Sequence, residues 1–274
     1  MPSASHIATW GLLPITLGAV YLYLLERRIA RAATLSSGRR AHRPSAAAAA
    51  SSSAAAETPP LPLSLPQDVA SDPSTWVLAY ERAVSNPVPA RRVSRHQRQP
   101  KAPDAHSSAG RTEASPLLRA YARTVQSAFS WTPQAFAIRA SIPEPAIRRS
   151  FDAAWIQNLA FDEDDLVNGV YKVTYRGPGH VPGSARIELV IEAPPSWTGP
   201  EVRGIIVAEV RGGAETEAEA EAARQVVFVN ETWLWRREGE KATMLETAVG
   251  KWFHGLLAGW LVMRGIAGVT TEKA

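Results

Sequence analysis

The stretch 241-KATMLETAVGKWFHGLLAGWLVMRGIAGV-269 carries Leu245, Val249, Trp252, Leu256, Trp260 and Met263 at helical spacing, and Phe253, Leu257 and Leu261 widen the stripe. A helix that is apolar over more than half its girth must be covered on most of its surface. It makes a poor membrane span, because His254 interrupts the apolar run and Arg264 ends it. The residues just upstream supply the cover. The run 226-VVFVNETWLWRR-237 alternates with period two, as a strand does. So do 168-NGVYKVTYRG-177, 185-ARIELVIEA-193 and 202-VRGIIVAEV-210. The connections GPGHVPGS and PPSWTGP are turn-like, whereas the acidic 212-GGAETEAEAEAAR-224 reads as a solvated insertion. Short connections join antiparallel neighbours. The fold class is therefore α+β, an antiparallel sheet packed on a long C-terminal helix.

Further upstream, 115-SPLLRAYARTVQSAF-129 reads as a helix with one apolar face. Residues 134-QAFAIRASI-142 read as a strand. Residues 143–158 read as a helix with Ile147, Phe151, Ala154 and Trp155 turned inward. Together these give a folded α+β domain over 112–270. The order strand, helix, antiparallel strands and long last helix, over 134–269, resembles the helix-grip superfamily of START and polyketide-cyclase-like domains. The resemblance is one of topology. It implies a curved sheet wrapped around the last helix, with an apolar cavity between them. Trp233, Trp235, Tyr171, Tyr175, Trp252, Leu256 and Trp260 are then the expected ligand-binding residues, and an apolar small molecule or lipid is the expected partner.

The N-terminal part has a different character. Residues 7-IATWGLLPITLGAVYLYLL-25 carry no charge, enough for about 28 Å of helix. A signal peptide needs a basic residue before the apolar run, and 1-MPSASH-6 has none. The expectation is an uncleaved transmembrane helix within a 1–31 anchor region. The basic flank 26-ERRIARAATLSSGRR-40 predicts a single-pass topology with the body facing the cytosol, at the mitochondrial outer membrane or endoplasmic reticulum. In that orientation the sequon Asn230-Glu231-Thr232 never meets the glycosylation machinery. Residues 32–111 read as a disordered, low-complexity, basic linker, with a short helix over 72–84 in which Trp76, Tyr80 and Val84 share a stripe. Arg91, Arg92, Arg95 and Arg98 suit anionic lipid. Nucleic acid is not expected, because no aromatic residue interleaves with these arginines.

The chain has no cysteine, which excludes disulfides and thiolate chemistry. No phosphate-binding glycine loop and no zinc-protease motif occurs, and neither a metal site nor a cofactor is expected. The acidic cluster 162-DEDD-165 lacks the spacing of a calcium loop and reads as a solvated turn. The catalytic candidates are Glu231, His254 and Tyr171. Glu231 shares its strand face with Trp233 and Trp235, where desolvation would raise a carboxyl pKa and suit a general acid of cyclase or isomerase type. The bland alternative for His254 is a satisfied core histidine. A third expectation is a non-catalytic membrane-tethered scaffold.

Overall fold

The computed structural model describes residues 4–40, 58–93, 115–212 and 225–270, with the side chains of the first helix described from residue 16 onward. Helix α1 (Ala4–Ala32) runs directly into strand β1 (Ala33–Arg40). An extended segment from Thr58 leads through helix α2 (Gln67–Ser71) to β2 (Trp76–Ser85) and β3 (Val88–Pro89). Helices α3 (Pro116–Phe129), α4 (Pro133–Ala140), α5 (Pro145–Arg148) and α6 (Ala153–Asn158) follow. Strand β4 (Leu166–Val167) opens a meander of β5 (Tyr171–Pro178), β6 (Ala185–Ile191), β7 (Arg203–Arg211) and β8 (Gln225–Arg237). The last element is α7 (Ala248–Val269). The sheet is antiparallel, in the order β1-β2-β8-β7-β6-β5-β4, with β3 on one end of β8.

The α+β class, the four long meander strands and the helices over 116–129 and 248–269 agree with the sequence reading. Other parts do not. Residues 76–85 form a strand and not a helix. A spacing of four residues is even, so the stripe Trp76, Tyr80, Val84 fits one face of a strand as well as one face of a helix. Pairing to β1 on one side and β8 on the other decides the matter. Residues 133–140 form a helix and not a strand, because Pro133 takes the first helical position and the Thr132 side chain accepts from Ala135 N. The helix expected over 143–158 is broken at Asp152, whose backbone is extended, and Trp155 turns outward. The disordered linker is overturned wherever it is described: 33–40, 58–71 and 76–93 all belong to the fold. Most of the acidic 212–224 segment and the basic residues Arg95 and Arg98 lie outside the described residues, whereas Arg91 and Arg92 form an exposed single turn. Among the described residues no helix is long and apolar enough to cross a membrane. The expected span falls partly on residues whose side chains lie outside the described set. The end of α1 is no free anchor, since Ile29 is buried against the domain.

Both faces of the sheet are buried. One face packs Tyr171, Ile187, Leu189, Val210 and Phe228 against α3, which contributes Leu118, Tyr121 and Phe129. The opposite face carries Leu78, Tyr80, Ile205, Val207, Trp233 and Trp235, and the 58–71 segment closes it with Leu61, Leu65 and Val69. In its middle sits Arg186, with 0% exposure. Its guanidinium donates to Glu188 at 2.6 Å and Glu209 at 2.8 Å, and reaches Glu231 at 3.4 Å. Arg211 donates to Glu209 at 2.6 Å, and Arg82 Nε lies 3.1 Å from Glu231. Three guanidiniums thus meet three carboxylates. Burial pushes the Arg186 guanidinium down, but Glu231, Glu188 and Glu209 outweigh it and hold the group above its ordinary value. Burial likewise pushes the Glu209 carboxyl up, and Arg211 and Arg186 overrule it to hold the carboxylate below its ordinary range. The strap completes the network, with Leu63 N, Ser64 N and Ser64 Oγ all donating to Glu188 at 2.8, 2.7 and 2.6 Å.

Replacing Arg186 by Met leaves three carboxylates facing one another without their central cation. Breaking a buried ion cluster costs about 3–5 kcal/mol. The urea midpoint of Arg186→Met should fall accordingly, and an unchanged midpoint would mean that the cluster does not hold the sheet.

A second carboxylate couples the entry of α7 to the sheet. Glu246 closes a capping box with Thr243, accepts from Arg236 at 2.8 and 3.0 Å, and lies 2.8 Å from Arg39 of β1. The Arg236 hydrogen bond, working against burial, lowers its pKa to about 2. A carboxyl held low in the fold stabilises above its unfolded value, and that contribution is lost as pH falls through the folded value. Glu246→Gln should therefore destabilise at neutral pH by about 1–2 kcal/mol after allowance for solvent screening. The difference from wild type should shrink between the ordinary value of 4.5 and about 2, as read by urea titrations across that window.

Candidate binding site between the first and last helices

The site is built where α1, β1, β2 and α7 meet. The small residues Gly255 and Gly259 of α7 let other elements come close. A Cβ at Gly259 would collide with Ile29 Cγ2, so α1 crosses α7 at that glycine. On β2 the residues turned toward α7 and the turn that leads into it are Ala79 (packed on Leu245), Glu81 and Ala83. The two alanines admit the helix, and the glutamate between them meets His254. Glu81 Oε1 and His254 Nδ1 are 3.0 Å apart, and both residues are buried. Glu81 Oε2 is buried with no hydrogen-bond partner among the described residues. Leaving a buried acceptor unsatisfied costs about 1–3 kcal/mol, and more for a charged group. Beside this pair lies a cavity of about 430 Å³, walled by Ile29, Leu35, Trp252 and Leu256 and edged by Ser36 and Lys251.

Two further spaces flank it. A groove of about 290 Å³ runs between α1 and α7, lined by Tyr21, Leu25, Trp131, Phe253 and Trp260. The space between the sheet and α7, where the helix-grip resemblance implies a ligand, measures about 50 Å³. That is room for a water molecule or two. Its lining includes Tyr171, Asn230, Thr232 and His254. Burial pushes the Tyr171 and Tyr121 hydroxyls well above the ordinary phenol range. Tyr121 donates to Asn230 Oδ1 at 3.0 Å. Asn230 is itself buried, so the sequon has no room for a glycan in this fold.

The three catalytic candidates, Tyr171, Glu231 and His254, all border the small space between the sheet and α7, but their side chains do not meet there. Glu231 is buried, but on the face opposite α7. One of its oxygens lies against Arg82, and the other receives Trp233 Nε1 at 3.1 Å and Arg186. It is a member of a buried ion cluster on that face. Trp233 and Trp235 share that face, with Trp233 stacked near Tyr80 at 5.1 Å. Tyr175 donates to Pro178 O at the sheet edge. Tyr171 packs edge-on to Phe129, at 5.6 Å. Trp252, Leu256 and Trp260 line the spaces beside α1 and not a cavity under the sheet. The acidic 162–165 segment forms the turn into β4, and His180 is exposed with Nε2 2.8 Å from Leu61 O. His254 is buried and paired, and its partner Glu81 was missed. The signal was a glutamate in the apolar run 76-WVLAYERAV-84, masked by the helical reading of that run.

The fold and site define an α+β domain whose first and last helices enclose a carboxylate–histidine pair. No protein-family model matches the chain, and no curated protein or solved structure matches it either.

Gly259 tests how the site is held together. Leucine there has no room beside Ile29, and overpacking of this kind costs about 1–3 kcal/mol. Gly259→Leu should detach α1 and expose the Arg27–Arg31 bonds to trypsin, while the sheet retains its far-ultraviolet spectrum. Unchanged trypsin resistance would show that α1 does not depend on that crossing.

Proposed function

We propose that this protein is a membrane-seated binding domain. Its body has a helix-grip-like order of strands, and its α1–α7 side rests on the bilayer. The observation that carries the reading is a contiguous, exposed apolar face. Trp131 is 74% exposed, Val249 76%, Trp252 46% and Phe253 48%, and Leu17, Val20, Tyr21 and Leu24 of α1 are exposed beside them. Tyr21, Trp131 and Phe253 line one groove, so these side chains belong to a single surface. Large exposed apolar patches mark interaction surfaces, and tryptophan and tyrosine favour the interface of a bilayer. Arg27, Arg28 and Lys251 sit at the margin of the patch, each exposed, as residues facing anionic headgroups would be. Basic residues at such a margin suit the anionic cytosolic leaflet, which favours the cytosolic face of the mitochondrial outer membrane or endoplasmic reticulum. The ligand cavity moves from beneath the sheet to the α1–α7 crossing, where there is room for one.

Flotation of the full chain with phosphatidylcholine vesicles, with and without phosphatidylserine, tests the reading. Wild type should float, more strongly with the anionic lipid. The exposed triple variant Trp131→Glu, Trp252→Glu, Phe253→Glu should lose vesicle binding roughly tenfold or more. Equal flotation of the variant and the wild type, or recovery of both in the lipid-free fraction, would count against the seating.

A further inference from the structure

We infer that the cavity beside Glu81 takes a small amphipathic molecule with a neutral hydroxyl head, an alcohol or phenol on an apolar body. The inference does not rest on the membrane proposal, because the cavity is formed by elements of the fold itself. Three observations converge. The first is the acceptor. Glu81 Oε1 is taken by His254, whereas Oε2 is buried and unpartnered. A buried acceptor calls for a donor, and no described residue supplies one.

The second is access. Gly255 lines the same cavity as Glu81. A Cβ built on it would stand 3.6 Å from Leu35 Cδ1 and 3.9 Å from Glu81 Oε2, in ordinary contact with both. Any longer side chain would continue into the space in front of that oxygen, so the glycine keeps the approach open.

The third is the balance of charge and polarity. Ile29, Leu35, Trp252 and Leu256 make an apolar wall for an apolar body. Glu26 and Glu81 both face the cavity and oppose an anionic head, while Lys251 on the same wall opposes a cationic one. A neutral hydroxyl donates its proton to Oε2 and brings no charge to any of them. Ser36 and Ser37 remain at the edge for further hydrogen bonds.

The test is calorimetric titration of the full chain in lipid-free buffer, with buffer alone as blank. The probes are 4-butylphenol and its methyl ether, which has the same body without the donor. The phenol should bind roughly tenfold or more tightly than the ether, as expected for one hydrogen bond to a charged acceptor. Glu81→Gln, which replaces an acceptor oxygen by an amide donor, should remove that preference. If Glu81→Gln fails to fold, Gly255→Leu serves as the blocking variant and should abolish binding of both probes. Equal affinity for phenol and ether overturns the inference, as does no binding of the phenol up to its solubility limit. So does undiminished phenol binding by Gly255→Leu.

Discussion

A guanidinium with no solvent exposure lies on the face of the sheet turned away from the helices, and much of the architecture follows from neutralising and covering it. Arg186 cannot be buried alone, because an unpaired charge in an apolar interior costs far more than any one side chain recovers. The sheet register brings Glu188 of its own strand, and Glu209 and Glu231 of the next two strands, within its reach. Arg82 and Arg211 then balance the surplus negative charge. Such a cluster needs water shut out and donors for its free lone pairs. The 58–71 strap covers it and supplies donors to Glu188, while Glu231 Oε1 has the Arg82 ion pair and no hydrogen bond among the described residues. Pro60 and Pro62 bring no N–H to satisfy, the N–H groups of Leu63 and Ser64 both go to Glu188, and the intervening leucines roof the tryptophans.

This explains which parts of the fold were legible in the sequence. Period-two alternation identified β5 to β8, and the wide apolar stripe identified α7. Those patterns depend only on local geometry. The strap was illegible because its proline-rich composition, next to an alanine and serine run, is that of a tether, and only the buried charge opposite gives its backbone polar groups something to bind. Strand β2 was misread because residues four apart share a face in both periodicities. Glu231 was recognised as buried beside tryptophans, but a strand pattern cannot say that both faces are covered or that an arginine two strands away lies within reach.

The site at the α1–α7 crossing shows the same limit from the other side. His254 was singled out as a lone histidine on an apolar helix, and the bland reading, a satisfied buried residue, comes close to what the structure holds. Its partner sits 173 positions away on β2, a separation no local pattern encodes. What the sequence did carry was the pair of glycines on α7. Their spacing marks the face where other elements come closest, and those elements are Ile29 of α1 and the Leu35–Glu81 corner of the sheet.

The two buried glutamates on neighbouring strands make the functional contrast sharp. Glu231 and Glu81 are both almost fully enclosed. Glu231 has a cation or a donor beside each oxygen: Arg82 lies 3.1 Å from one, and Arg186 and the Trp233 indole N–H reach the other. Glu81 has one partner on one oxygen and none on the other, next to a cavity that a glycine keeps open. A buried carboxylate kept for stability needs a countercharge close by, and Arg82 gives Glu231 Oε1 one even though that oxygen accepts no hydrogen bond among the described residues. Glu81 Oε2 has no such neighbour among the described residues, and it borders a cavity. That imbalance, more than the size of the cavity, marks the Glu81 side of the molecule as the place where something from outside the chain binds.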